Sequence, residues 1–139
     1  MPKVYVGIIV DTPKKVSVAT WYPEGEIYTS VRTFWETAAL LRVLKQLHQV
    51  WVYFKPVQKD KDIVSTLADV DVLNRKDLLT KLLAEKCANL DIPYKYRTSK
   101  PISAKEFKHL TGKTSPALER EAAMLVWGEG TTRIESRKK

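Results

Sequence analysis

The sequence predicts an α/β fold, with a mixed sheet in which an antiparallel three-strand meander joins parallel strands and helices flank the whole. Three observations predict it. Val4-Tyr5-Val6-Gly7-Ile8-Ile9-Val10 is a nearly continuous apolar, β-rich run, as expected of a central strand covered on both faces. Two shorter alternating runs follow across turn residues. Between Thr33 and Gln49 the hydrophobic period becomes helical, and strand composition returns at Val50.

In chain order, Pro13-Lys14-Lys15 makes a turn, Val16–Trp21 alternates as a half-buried strand, and Pro23-Glu24-Gly25-Glu26 makes the second turn before Ile27–Val31. In the following helix Ala38, Leu41, Leu44, Leu47 and His48 fall on or near one face, with Leu40 and Val43 widening the stripe. Val50–Phe54 is a strand ended by Pro56; because a crossover helix precedes it, it should run parallel to the first strand. From Val57 to Asp71 the chain is polar and charged, a connection with room for a short helix, and Asp71 is placed to cap the helix after it. That helix, Val72–Leu90, carries Leu79, Leu82, Leu83 and Cys87 on one side, with Arg75, Lys76, Lys81 and Lys86 mostly on the other; Asp91-Ile92-Pro93 stops it. Pro93–Thr98 alternates aromatic and basic residues, either an edge strand with one packed face or a strip that meets nucleic acid through Tyr94 and Tyr96. Ser103 is a candidate cap for a short helix ending at Gly112, and the last helix starts near Ser115-Pro116 and runs to Trp127 with Leu118, Ala122, Leu125 and Val126 to bury.

A chain of 139 residues is one domain, assigned here to 1–130 with a basic tail at 131–139. Its single cysteine, Cys87, excludes a disulfide framework or a zinc cluster, and two histidines are too few for a histidine-rich metal site. The aspartates Asp60, Asp62, Asp69 and Asp71 lack the glycine and terminal glutamate of a calcium-binding EF-hand loop, and neither a Gly-x-Ser-x-Gly elbow nor a Gly-rich phosphate loop is present. With no apolar run of about eighteen residues and no signal-peptide block after Met1, the expected setting is soluble, intracellular and cytoplasmic, without a membrane partner. The 24 Lys+Arg against 16 Asp+Glu give a net charge of +8, which suits a polyanionic partner bound through counterion release.

Ile92-Pro93-Tyr94, Ser99-Lys100-Pro101, Lys105-Glu106-Phe107-Lys108, Leu110-Thr111-Gly112-Lys113 and Glu119-Arg120-Glu121-Ala122-Ala123 resemble, in order and spacing, the C-terminal part of the RuvC-like Holliday junction resolvases. The resemblance implies a ribonuclease H-like fold, two-metal phosphodiester hydrolysis, DNA contacts near the active site and a homodimer. It also implies four acids, most of which this chain lacks. An opening Gly-Ile-Asp-Pro matches Gly7-Ile8-Ile9-Val10, so Ile9 stands at the first acid; Tyr-Ile-Glu-Lys-Pro matches Val52-Tyr53-Phe54-Lys55-Pro56, so Lys55 stands at the second. The last two acids correspond to Leu118 and Glu121. Asp11 is offset from Ile9 by two residues, about 6.6–6.8 Å along a strand, too far to replace its carboxylate without a bulge.

The favoured reading is a DNA-binding pseudonuclease that takes branched or duplex DNA through Lys100, Lys105, Lys108, Lys113, Arg75, Lys76, Tyr94 and Tyr96 and needs no cofactor. Lys55 is expected to pair with Glu121 where the family holds metal. One alternative is an active, structure-selective endonuclease using Asp11, Glu121 and an acid from the Asp60–Asp71 region with Mg2+ or Mn2+. The other is a protein-interaction module on the same fold, with Trp21, Trp35, Trp51 and Trp127 as places to look for an exposed aromatic patch.

Overall fold

The computed structural model describes residues 2–23, 25–57, 67–99 and 101–127, with 67–71 as backbone only. The order is β1 (Lys3–Thr12), β2 (Lys15–Trp21), β3 (Ile27–Arg32), α1 (Phe34–Leu47), β4 (Gln49–Phe54), α2 (Leu67–Asn89), β5 (Tyr94–Tyr96), α3 (Ala104–Thr111) and α4 (Ala117–Met124). The five strands form one sheet in the order β3-β2-β1-β4-β5. β1, β2 and β3 are the antiparallel meander, while β1–β4 and β4–β5 are parallel pairs. The mixed sheet with flanking helices is the α/β architecture that the sequence predicts.

β1 explains the layering. Its even-numbered residues Val4, Val6, Ile8 and Val10 enter one core with Phe34, Leu41 and Leu44 of α1 and Leu83, Ala84 and Cys87 of α2. Its odd-numbered Tyr5 and Ile9 enter a second core with Phe107 of α3 and Ala122, Ala123, Leu125 and Val126 around α4. Alternation thus sends successive side chains to two apolar layers, and the strand reads as unbroken hydrophobicity. At Gly7 an added Cβ would overlap the carbonyl oxygen of Ala122, so the missing side chain is what lets α4 lie directly on the strand.

Local chemistry sets the helix ends. Thr33 and Glu36 form a reciprocal capping box at the start of α1. The hydrogen bond from the Thr33 backbone N–H, followed by that from its side chain, holds the Glu36 carboxyl below its ordinary pKa. Ser103 accepts from the Glu106 N–H to cap α3, and Gly112 ends that helix at φ 77° in the left-handed region.

Several expectations are corrected. α2 begins at Leu67, so Asp71 lies inside the helix and does not cap it. α4 ends at Met124, although Leu125 and Val126 beyond it are buried as expected. Leu118 is exposed. Leu47 is 63% exposed and does not pack: steps of three residues each rotate about 60° backwards, so the stripe through Ala38, Leu41 and Leu44 has turned off the core by then. Val43 and Leu82 are also exposed, and Trp35 stands 72% exposed. The Asp60–Asp62 segment and the 131–139 tail lie outside the described residues. No helix among the described residues is long and apolar enough to cross a membrane.

Candidate functional site

The C-terminal ends of β1 and β4 meet the first turns of α4 beside the start of α2. β4 ends at Phe54, but the Lys55 N–H still donates to the Ile8 carbonyl (3.1 Å), which fixes Lys55 beside β1. α4 is seated by three contacts besides Gly7. Arg120 donates from Nε to the Ile102 carbonyl (3.1 Å) and from Nη1 to the Ser115 carbonyl (2.6 Å), and Ser99 Oγ donates to the Glu121 carbonyl (3.3 Å). The hydroxyls of Ser115 and Thr29 hydrogen-bond at 2.6 Å, anchoring the lead-in of α4 to β3.

This seating brings together the positions singled out in the sequence. The Lys55 ammonium pairs with the Glu121 carboxylate, both partly shielded from water. Ile9 is buried next to them in the α4-side core. A cavity of about 220 Å³ is lined by Ile9, Asp11, Lys55, Leu73, Lys76 and Leu118. Asp11 is the extra residue of a β-bulge: Val10 pairs with Val16 and Thr12 with Lys15, leaving two steps of β1 against one of β2. The bulge does not carry Asp11 into Ile9's role. Its carboxylate lies 3.4 Å from the Lys76 ammonium, so Asp11 and Glu121 are held by two lysines from different elements.

Two divalent ions about 3.5–4 Å apart require several carboxylates that converge. Here Ile9 and Leu118 are apolar and the Lys55 ammonium is seated on the Glu121 carboxylate. An ammonium so placed supplies the positive charge a metal would bring and repels a second cation. This donor set does not fit the two-metal group. Among the described residues no three His, Cys, Asp or Glu side chains cluster so as to hold a metal ion.

The candidate DNA contacts divide. Lys105 and Lys108 stand exposed on α3, which is held down by the fully buried Phe107, and Arg75 is exposed on α2. Lys76 is engaged with Asp11 as described. Lys113 turns back onto β3: its ammonium donates to the Ile27 carbonyl (2.8 Å), pairs with Glu26 (2.9 Å) and lies 4.1 Å from the Tyr28 ring centre. Lys100 lies outside the described residues. Tyr94 and Tyr96 are partly exposed and lean on Phe54, with ring centres 5.9 and 6.0 Å away, on the α2 side of the sheet. Burial, then the neighbouring Tyr94, raises the Tyr96 hydroxyl pKa.

Sequence reasoning missed the Asp11–Lys76 pair and the inward turn of Lys113, both long-range contacts with no local signature. It also missed Gly7, although a glycine inside an otherwise apolar strand does signal close backbone approach. No protein-family model matches the chain, and no curated protein matches it.

Proposed function

We propose that this chain is a ribonuclease H-like domain of the RuvC-like resolvase type that binds branched or duplex DNA without cutting it. The observation that carries the reading is the Lys55–Glu121 pair at the end of the central parallel strands, set beside the apolar Ile9 and Leu118. The strand order β3-β2-β1-β4-β5, with the meander first and parallel strands after it, is the arrangement the resemblance leads one to expect. A net charge of +8 and the exposed Lys105 and Lys108 of α3 support binding to a phosphate backbone. These lysines fix register on DNA and carry no base specificity.

The test is a titration of a labelled four-way junction and a matched linear duplex at two salt concentrations, with and without Mg2+ or Mn2+. Salt-sensitive binding without nicking is the expected result. Metal-dependent nicking overturns the loss of cleavage. Absence of binding to both DNAs overturns the reading altogether and favours a protein-docking module, for which the exposed Trp35 of α1 is the place to look.

A further inference from the structure

β5 does not use its aromatic and basic residues together. Alternation puts Tyr94 and Tyr96 on the α2 side, against Phe54, and sends Lys95 and Arg97 to the opposite side. There the basic groups meet aromatics of other strands. The Arg97 guanidinium lies 4.1 Å from the centre of the Tyr53 ring, and its Nη1 donates to the Leu125 carbonyl (2.9 Å). Beside it Trp51 stacks on Tyr5, its register partner across β1 and β4, at 5.2 Å between ring centres and 21° between planes. The Lys3 ammonium is 5.8 Å from the Trp51 ring centre.

Lys3, Tyr5, Trp51 and Tyr53 line a groove of about 330 Å³ together with Val52, Pro93, Tyr94 and Lys95. It lies at the N-terminal ends of β1 and β4, the opposite end of the strands from Lys55 and Glu121. Trp51 is half-buried, whereas Lys3 and Lys95 are exposed at the rim. No acidic side chain lines the groove among the described residues. Tyr5 and Tyr53 are buried, so the ring open to the groove is that of Trp51; an aromatic floor of this kind under a rim of ammonium groups matches a flat base joined to a phosphate, the combination by which proteins hold single strands without reading their sequence. Base pairs in a duplex keep their faces stacked on each other and cannot use such a floor.

We propose that this groove binds an unpaired nucleotide of a DNA strand, the base stacking at Trp51 and the flanking phosphates meeting Lys3 and Lys95. The proposal deepens the DNA-binding reading and rests on it for the choice of DNA as the polymer. It adds a preference for DNA with open or frayed bases, which a site built only of surface lysines lacks.

The experiment titrates the full chain with labelled oligo(dT) and, separately, with a fully paired four-way junction, following fluorescence anisotropy over a range of salt. The wild-type chain is compared with Trp51→Leu and with the double variant Lys3→Ala/Lys95→Ala. Trp51→Leu is expected to weaken oligo(dT) binding about tenfold. Loss of both lysines should make the salt slope for oligo(dT) shallower by about 1.4 and leave junction binding unchanged. Should Trp51→Leu fail to fold, the exposed lysines and photocrosslinking of bromodeoxyuridine-substituted oligo(dT) to the wild-type Trp51 peptide decide the matter. Failure of the wild-type chain to bind oligo(dT), or equal binding by the folded variants, overturns the groove whatever the junction does. Oligo(dT) binding that depends on these residues, without junction binding, supports the groove and counts against the broader reading.

Discussion

Single atoms decide two features at the residue scale. Gly7 has no Cβ, and the Ala122 carbonyl occupies the space where one would stand. Because the obstacle is backbone, nothing flexible can swing aside, so Gly7→Ala must push α4 off β1. Overpacking of this kind costs about 1–3 kcal/mol. Urea denaturation should show that loss, and a variant as stable as the parent would mean that α4 is not seated through this contact. Cys87 is the second feature. Fully buried between α2 and the sheet, its thiol is pushed up to about 12 by desolvation, from an ordinary 9.0. The sign follows from proton binding. Between the two values the unfolded chain gives up the thiol proton while the folded chain keeps it, so this group's contribution to stability is complete below about pH 9 and declines as the pH rises towards 12. A thiol-reactive disulfide reagent at pH 8 should therefore leave the native protein almost unlabelled and modify it rapidly in denaturant. Prompt labelling of the native chain would show that α2 opens locally.

At the scale of elements, α3 and the turn after it use similar lysines for opposite purposes. Lys105 and Lys108 project from a helix whose burial is handled by Phe107 alone, so removing their charge leaves the fold intact. Lys113 instead ties that turn to β3 through Ile27, Glu26 and the Tyr28 ring. Lys105→Ala/Lys108→Ala should keep the melting temperature and make the salt slope for duplex binding shallower by about 1.8. Lys113→Ala should do the reverse, with a stability loss of about 1 kcal/mol and an unchanged slope. Identical slopes for both variants would remove α3 from the interface. The contrast also marks what could be read in advance. The β1–β3 meander, α1 and β4 were legible because period two or a helical period persists through them. The alternation of Tyr94, Lys95, Tyr96 and Arg97 was legible too, but not which face each pair would take, since that depends on Phe54 and Tyr53 of β4. Lys113 resembled its neighbours in sequence and differs from them only through contacts with residues 86 positions away.

On the scale of the whole molecule, the candidate site is a convergence of β1, β4 and α4, three elements far apart in the chain. The fold makes that convergence whether or not the residues there are acids. The resemblance pointed to Lys55 and Glu121 as partners and the ion pair forms, whereas the bulge that hands Asp11 to Lys76 had no sequence signal. If these positions converge closely enough, placing carboxylate donors there should create cation binding. In Ile9→Asp/Lys55→Glu, two new carboxylates would join Glu121, and without divalent ions their mutual repulsion and the lost ammonium should lower the melting temperature. Mn2+ binds only the folded arrangement of such a site, so it should raise the melting temperature of the double variant by RT ln(1 + [L]/Kd), about 2.7 kcal/mol of stabilisation at a hundredfold excess over Kd. The parent chain, with Lys55 on Glu121, should show no such rise. A double variant that melts low and ignores Mn2+ would mean that β4 and α4 no longer hold these positions at coordinating distance. A parent chain stabilised by Mn2+ at this site would contradict the ion pair as its resident charge arrangement and reopen metal-dependent cleavage.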